Sequence, residues 1–247
     1  MSFSGKSVLV TGGSKGIGLA CVKAFAAEGA RVFYTYRKDD GSVAALSKWA
    51  AGREVAGFRS DATDDASVTA LAGDIGKATS GALDVLVNNV GDAVRRSSFA
   101  DSDDALWQAS LDVNLMSAVR TTRAFLPLLK ASAAGVIVNM SSIAGTTTGA
   151  GDSLHYGVAK AALDTFTKGL AREMKGTRVR VVGVAPSAID TDFQARHSSP
   201  DRLRKIVDQT PLGRVGIAEE VAETVLFLAS DKAGYISGDT VMLTGGR

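Results

Sequence analysis

The sequence predicts an α/β protein whose doubly wound parallel sheet of about seven strands is covered by helices on both faces. Three observations carry that expectation. Short apolar runs rich in β-branched residues alternate with stretches of helical periodicity, the pattern of successive βαβ units. A glycine-rich turn joins the first such run to the first helical stretch. Finally, 247 residues with only four prolines, and no low-complexity tract, long charge run or solenoid repeat, offer no linker. One domain spanning 1–247 is therefore expected.

Taken in order, strands read at Val8–Thr11, Arg31–Tyr36, Ala56–Ser60, Val85–Asn88, Val136–Met140, Val179–Ala185 and Thr240–Leu243. Helices read near Gly16–Glu28, Ser42–Ala50, Ala66–Ala78, Asp103–Leu129, His155–Lys175 and Ala218–Ala229. The first helix is marked by apolar positions Leu19, Val22, Phe25 and Ala26, spaced to cover one face. Between the first strand and this helix lies Thr11-Gly12-Gly13-Ser14-Lys15-Gly16-Ile17-Gly18. Strand, glycine turn and helix open a dinucleotide-binding βαβ unit, in which backbone approaches a pyrophosphate resting at the positive helix end. Right-handed crossovers then give a Rossmann-type sheet with its ligand crevice at the strands' C-terminal ends. Asp190–Gly213 is rich in charge and weak in periodicity.

Composition narrows the function classes. Apolar residues make up 45% of the chain, ample for a sizeable core, and a formal charge of +2 gives no reason to expect nucleic acid or a membrane surface as partner. No apolar stretch approaches a membrane span, and the start, Met1-Ser2-Phe3-Ser4-Gly5-Lys6, lacks a signal-peptide core, so a cytoplasmic protein is expected. The single cysteine, Cys21, excludes an internal disulfide and reads as a core residue of the first helix. No metal site is expected.

Chemistry is concentrated in Tyr156-Gly157-Val158-Ala159-Lys160. Four residues on a helix put phenol and ammonium on one face. A neighbouring cation favours phenolate and lowers the tyrosine pKa, making it a usable proton donor and acceptor. Taken alone, the pair fits a buried tyrosine beside a surface lysine better; the rest of the chain reverses that preference.

With these residues the chain resembles the short-chain dehydrogenase/reductase family of compact, single-domain type, over nearly its whole length. The family's glycine motif matches Thr11 to Gly18, spaced Gly-x-x-x-Gly-x-Gly through Gly12, Gly16 and Gly18. Its Asn-Asn-Ala-Gly motif appears as Asn88-Asn89-Val90-Gly91, with Val90 a departure. The helix asparagine matches Asn114 and the active-site serine Ser142, in Asn139-Met140-Ser141-Ser142-Ile143-Ala144-Gly145. The Pro-Gly motif appears as Pro186-Ser187 ahead of Ile189 and Thr191, with serine where the family has glycine.

The resemblance implies a catalytic set of Asn114, Ser142, Tyr156 and Lys160. Tyr156 would pass its proton to a carbonyl oxygen as hydride arrives, and Ser142 would hold that oxygen in line. Lys160 would lower the Tyr156 pKa and bond the nicotinamide ribose. The backbone of Asn114 would help hold a water on the proton path. Gly12, Ser14, Lys15, Gly16, Ile17 and Gly18 would cradle the dinucleotide, Asp61 and Ala62 would lie near the adenine, and Asn89, Val90 and Gly91 would line the cleft. Pro186, Ser187, Ile189 and Thr191 would face the nicotinamide. Asp190–Gly213 would be the substrate lid.

NADP(H) is expected rather than NAD(H). The position at the end of the second strand, where an acid would bond a ribose 2′-hydroxyl, holds Tyr36, followed by Arg37. A guanidinium bonds a 2′-phosphate in a fork, and Lys15 is a second cation within its reach. Asp39 and Asp40 leave a shift of register open. The expected reaction is reduction of a ketone or aldehyde of a small molecule. Alternatives are a 3-oxoacyl-carrier-protein reductase and an NAD-linked alcohol or sugar-alcohol dehydrogenase. A carrier protein is acidic, yet the turn Ala131-Ser132-Ala133-Ala134 is bare of charge, with Lys130, Lys175 and Arg178 nearby. Arg95, Arg96, Arg196 and His197 read as solvated loop residues at the pocket rim, or as contacts for an anionic substrate. His155 reads as lining the pocket or capping its helix. The resemblance further implies a homotetramer, with helices near Ala105–Leu129 and Tyr156–Lys175 pairing across one interface; a core face would need the same apolar positions.

Overall fold

The computed structural model describes residues 2–38 and 41–247. Asp39 and Asp40 lie outside the described residues. The elements run β1 (Ser7–Val10), α1 (Gly16–Ala27), β2 (Arg31–Tyr36), α2 (Ser42–Trp49), β3 (Val55–Arg59), α3 (Asp65–Ala78) and β4 (Val85–Asn88). There follow α4 (Asp104–Leu111), a π-turn (Asp112–Met116), α5 (Ser117–Ala131), β5 (Val136–Met140), α6 (Ala144–Thr147), α7 (Leu154–Glu173) and β6 (Arg180–Pro186). Last come β7 (Ile189–Asp190), α8 (Asp192–His197), α9 (Pro200–Asp208), β8 (Gly216–Ile217), α10 (Ala218–Ala229) and β9 (Thr240–Leu243).

Seven strands form one sheet in the order β3-β2-β1-β4-β5-β6-β9, every pair parallel. The order reverses between β1 and β4, which places a crevice at their C-terminal ends. Side-chain alternation sorts each strand between two cores. Val8 and Val10 of β1, with Val85 and Val87 of β4, pack under α1 and α10 with Phe25, Val225 and Leu228. Leu9, Leu86 and Ile137 point the other way, against Leu71 and Ile75 of α3, Phe125 and Leu129 of α5 and Leu170 of α7. Cys21 is fully buried, and burial pushes its thiol up to about 12. No helix among the described residues is long and apolar enough to cross a membrane.

β2, β4, β5 and β9 fall where the sequence places them, and β1, β3 and β6 differ by one residue at each end. The helix expected over Asp103–Leu129 is instead broken by the π-turn. Side chains compete there for the helix's own acceptors, Asn114 Nδ2 donating to the Ser110 carbonyl at 2.9 Å and Ser117 Oγ to that of Val113 at 2.7 Å, and Asn114 Nδ2 also bonds the distant Asp92 carbonyl at 2.7 Å. The segment read as weak in periodicity, 190–213, contains two helices, α8 and α9, bracketed by the small parallel pair β7–β8.

Candidate active site

The sheet's C-terminal edge is stiffened from below by a buried amide layer. Asn88 Nδ2 on β4 donates to Asn139 Oδ1 on β5 and to Thr122 Oγ1 on α5, each at 2.9 Å. Asn139 Nδ2 donates to Thr167 Oγ1 on α7 at 2.9 Å. These bonds fix α5 and α7, which carry or adjoin the reactive residues, to the two central strands.

Four sequence-predicted residues converge above this layer. Tyr156 stands on the first turn of α7 with Ser142, from the loop after β5, hydrogen-bonded to its phenol. Lys160 lies one turn on, 2% exposed, its Nζ donating to the Met140 carbonyl at 2.7 Å and 5.8 Å from the centroid of the Tyr156 ring. Asn114, fully buried in the π-turn, approaches the same point. A Cβ added at Gly91 would lie 2.9 Å from Asn114 Oδ1 and 3.0 Å from Lys160 Nζ. Only glycine admits so close an approach of side chains to backbone.

The electrostatics differ from the expected arrangement. Burial pushes the Tyr156 phenol up to about 12, against the lowering pull of the Ser142 hydrogen bond; Asp92 raises it further and Arg96 lowers it. Lys160 does not depress it: burial lowers the ammonium itself to about 8, against the raising field of Asp164. Desolvation is the largest influence on both groups, and the Lys160 ammonium is directed at the Met140 carbonyl rather than at the phenol it was expected to lower.

The predicted nucleotide cradle is assembled at the β1–α1 turn. Asn89 Nδ2 donates to the Thr11 carbonyl at 2.9 Å and to that of Gly12 at 3.2 Å, tying the β4 loop to the turn. A Cβ at Gly18 would meet the Gly12 carbonyl oxygen at 2.3 Å, and one at Gly12 would meet Val90 Cγ2 at 3.3 Å. Lys15 is the N-cap of α1 and supplies no side-chain cap, so the amides of Gly16, Ile17 and Gly18 at this positive helix end suit a phosphate. Ser14 is buried in the turn, and Thr191 packs across from Gly16, where an added Cβ would meet its side chain at 3.5 Å.

At the far end of the crevice, Tyr36 closes β2 half-buried and Arg37 follows it exposed. Asp61, with Ala62 beside it in the turn after β3, accepts from the Thr63 amide at 2.9 Å and hydroxyl at 2.7 Å. Burial raises the Asp61 carboxyl, but these bonds and the Arg37 charge bring it below its ordinary value. At the other end, the Pro186 carbonyl accepts from the Ile143 amide at 3.0 Å, and Ser187 gives its amide to the Leu243 carbonyl at 2.9 Å while its buried hydroxyl has no protein partner among the described residues. Ile189 is buried beside them. A glycine-rich cradle, an uncapped helix end and an exposed guanidinium at the β2 end together fit a phosphorylated dinucleotide.

Of the residues read as a solvated rim, Arg95 and Arg196 are exposed and Arg96 and His197 half-buried, and all four are paired with carboxylates. Arg96 bonds Asp152 at 2.9 Å, Arg196 bonds Asp92 at 3.0 Å, His197 Nε2 lies 2.5 Å from Asp92 Oδ1, and Arg95 pairs with Asp103 at 3.3 Å. Arg196 and His197 close helix α8 rather than standing in a loop. His155 neither caps α7 nor lines the pocket. It is buried, with Nδ1 3.2 Å from Ser110 Oγ and its ring edge-on to Trp107. Sequence reasoning passed over Asp92, Asp152 and Asp164. Asp92 had a signal, a carboxylate directly after the motif glycine Gly91; Asp164 had one too, one turn beyond Lys160.

Known proteins agree with this geometry. A family model described as "Enoyl-(Acyl carrier protein) reductase" matches residues 12–247. The 3-oxoacyl-[acyl-carrier-protein] reductase of Escherichia coli (strain K12) is 39% identical over 246 residues, covering 100% of this chain and 98% of that protein. A tropinone reductase homolog of Arabidopsis thaliana is 37% identical over 247 residues, covering 99% and 93%. Among solved structures, gox2181 superposes with a TM-score of 0.93 at 30% identity, covering 99% of this chain and 96% of that one. The Pseudomonas aeruginosa RhlG/NADP active-site complex gives 0.91 at 28%, covering 99% and 97%. Fold, motif order and full-length similarity converge, and the chain belongs to the short-chain dehydrogenase/reductase family of oxidoreductases, which act on carbonyl and CH–OH groups.

Proposed function

We propose that this protein is an NADPH-dependent reductase that converts a ketone or aldehyde of a small molecule to the alcohol. The observation that carries the reading is the convergence of four side chains on one point: the half-buried Tyr156 phenol, bonded by Ser142 and pushed up to about 12 by desolvation, with Lys160 one turn on and Asn114 beside Gly91. Such a phenol is fully protonated at neutral pH and suited to give a proton to an oxygen whose basicity rises during reaction. Ser142 Oγ is placed to hold that oxygen against the phenol. Lys160, at about 8, gains and loses its proton near neutral pH and can restore the one Tyr156 gives up. Asn114 fixes the backbone beside Lys160.

When bound, the nicotinamide supplies the hydride. The Gly12–Gly18 turn would take its pyrophosphate, Arg37 and Lys15 its 2′-phosphate, Asp61 and Ala62 its adenine end, and Asn89, Val90 and Gly91 the cleft wall. Tyr156 and Lys160 would face its ribose, with Pro186, Ser187, Ile189 and Thr191 at the nicotinamide. The NADP of the Pseudomonas aeruginosa RhlG active-site complex supports this choice of nucleotide.

A second reading, reduction of a 3-oxoacyl thioester carried on acyl carrier protein, is favoured by the Escherichia coli relative. The tropinone reductase homolog favours a free ketone. We further infer one domain over 1–247, with segment 190–213 as its lid, and a homotetramer in which the helices near Ala105–Leu129 and Tyr156–Lys175 pair across one interface. Light scattering tests the assembly, and a monomer removes it.

The deciding experiment follows oxidation of NADPH and NADH separately against small ketones, sugars and 3-oxoacyl thioesters, free and carrier-bound. Turnover with NADPH on free ketones is expected. Turnover confined to carrier-bound thioesters would select the second reading, and turnover with NADH alone would overturn the cofactor assignment.

A further inference from the structure

Asp92 stands where the reaction centre and the segment 190–213 meet. Its backbone belongs to the centre: the Asp92 amide donates to Asn114 Oδ1 at 3.1 Å, and Asn114 Nδ2 donates to the Asp92 carbonyl at 2.7 Å. Its carboxylate belongs to α8. His197 Nε2 donates to Oδ1 at 2.5 Å and Arg196 Nη1 to Oδ2 at 3.0 Å. The carboxylate is 31% exposed and the His197 side chain only 9%, so the pair is partly shielded from solvent and screened less than a surface ion pair.

The attachment continues on both sides. The His197 carbonyl accepts from Arg96 Nε, and Arg96 Nη1 donates to Asp152 Oδ1 at 2.9 Å and Ser153 Oγ at 3.2 Å, in the residues that lead into α7. Asp152 Oδ2 accepts from Arg202 Nη1 on α9 at 2.6 Å. The Phe193 ring of α8 lies 4.7 Å from His197 and 6.2 Å from Tyr156. Both helices of the segment are thus strapped down by charge-assisted bonds, α8 to the β4 loop and α9 to the α7 entrance, with an aromatic face toward the phenol.

We propose that Asp92 is a positioning residue that latches the lid over the reaction centre, its main chain held by Asn114 and its carboxylate by His197 and Arg196. The inference rests on the reductase reading only for what is closed in; the latch itself is a property of this chain. Asp92 reports lid position to the chemistry in two ways. Withdrawal of α8 removes the Phe193 wall beside Tyr156, and it leaves the Asp92 charge less neutralised where it already raises the phenol's pKa. The charged groups around the latch are Arg196 and His197 on α8, Arg202 on α9, Arg96 in the β4–α4 loop, Asp152 before α7 and Tyr156 on α7.

The first test needs no substrate. Trypsin acting on the full-length protein should cut after Arg196 about tenfold faster in Asp92→Ala and in His197→Ala than in wild type, because release of the latch raises the open population. The double variant should be cut no faster than Asp92→Ala alone, since that change already removes the carboxylate that His197 bonds. His197→Gln, which keeps a donor for the carboxylate, should restore the wild-type rate. With NADPH and a ketone substrate, the same alanine variants should raise KM about tenfold with a smaller fall in kcat, and NADPH affinity should stay unchanged. Asp92→Asn should move the alkaline limb of the rate to lower pH, as loss of the anion lets the phenol ionise more easily. Wild-type proteolysis in both alanine variants, or additive effects in the double variant, would overturn the latch. If no ketone is turned over by wild type, the reductase reading fails while the trypsin result still decides this one.

Discussion

At the residue scale, what distinguishes this site is desolvation. Lys160 is buried and Tyr156 half-buried, and desolvation drives them toward their neutral forms from opposite sides, the phenol to about 12 and the ammonium to about 8. The pair is therefore set to pass a proton from a protonated tyrosine, and Tyr156→Phe should reduce turnover by at least about a thousandfold, as expected for loss of a general acid. NADPH titration of that variant should still give near wild-type affinity, since no phosphate contact is touched; unchanged turnover would remove the proton-donor role. Arg37 makes the complementary case at the other end of the crevice. Exposed beside the end of β2, it costs little to truncate in stability but carries charge toward a 2′-phosphate. Arg37→Ala should weaken NADPH about tenfold or more while leaving NADH nearly unaffected, because only one of the two carries that charge. Equal losses for both nucleotides would end the argument for phosphate contact.

At the element scale, what can be read from sequence depends on whether structure is set by local pattern or by distant partners. Four of the seven main strands are legible to the residue; β4 and β5, buried throughout, read as continuous apolar runs. The glycine turn, Ser142, Tyr156 and Lys160 are legible because type and spacing are fixed by backbone close approach and helix geometry. Asp103–Leu129 reads as one helix because its apolar periodicity persists across the break, and periodicity does not register the bond from Asn114 to Asp92, 22 positions away. The lid helices are hidden for a related reason. α8 has only six residues, and the short apolar stripe of α9, Leu203, Ile206 and Val207, is only partly buried among charged neighbours; ion pairs to Asp92 and Asp152 add to the attachment. The π-turn gives an element-scale prediction. Asn114→Ala removes both donors to the Asp92 and Ser110 carbonyls and the acceptor for the Asp92 amide, leaving buried groups unpaired. Stability should fall by about 1–3 kcal/mol in urea titration, and turnover should fall with it. A variant of wild-type stability would mean that the π-turn is held by its neighbours alone.

For the whole molecule, the same desolvated pair should shape stability against pH. Lys160 has its ordinary value of 10.5 when the chain is unfolded and about 8 when folded. Below about 8 the lysine is charged in both states, and the full cost of burying that charge is present. Between about 8 and 10.5 the unfolded chain binds the extra proton, so stability rises with pH through that window and levels off above it. The rise from this group is at most about 3 kcal/mol. Tyr156 acts later and in the opposite sense: its folded value of about 12 exceeds its ordinary 10, so from 10 to 12 the unfolded chain releases a proton the folded one keeps, and stability falls. Denaturation of wild type should therefore show a maximum near pH 10 in the contribution of this pair. Lys160→Met should flatten the rise between 8 and 10.5 while leaving the later fall, and Tyr156→Phe should abolish the fall while leaving the rise. A Lys160→Met profile parallel to wild type across that window would mean that the ammonium is solvated in the folded protein, and with it would go the restoration of the Tyr156 proton by a lysine titrating near neutral pH.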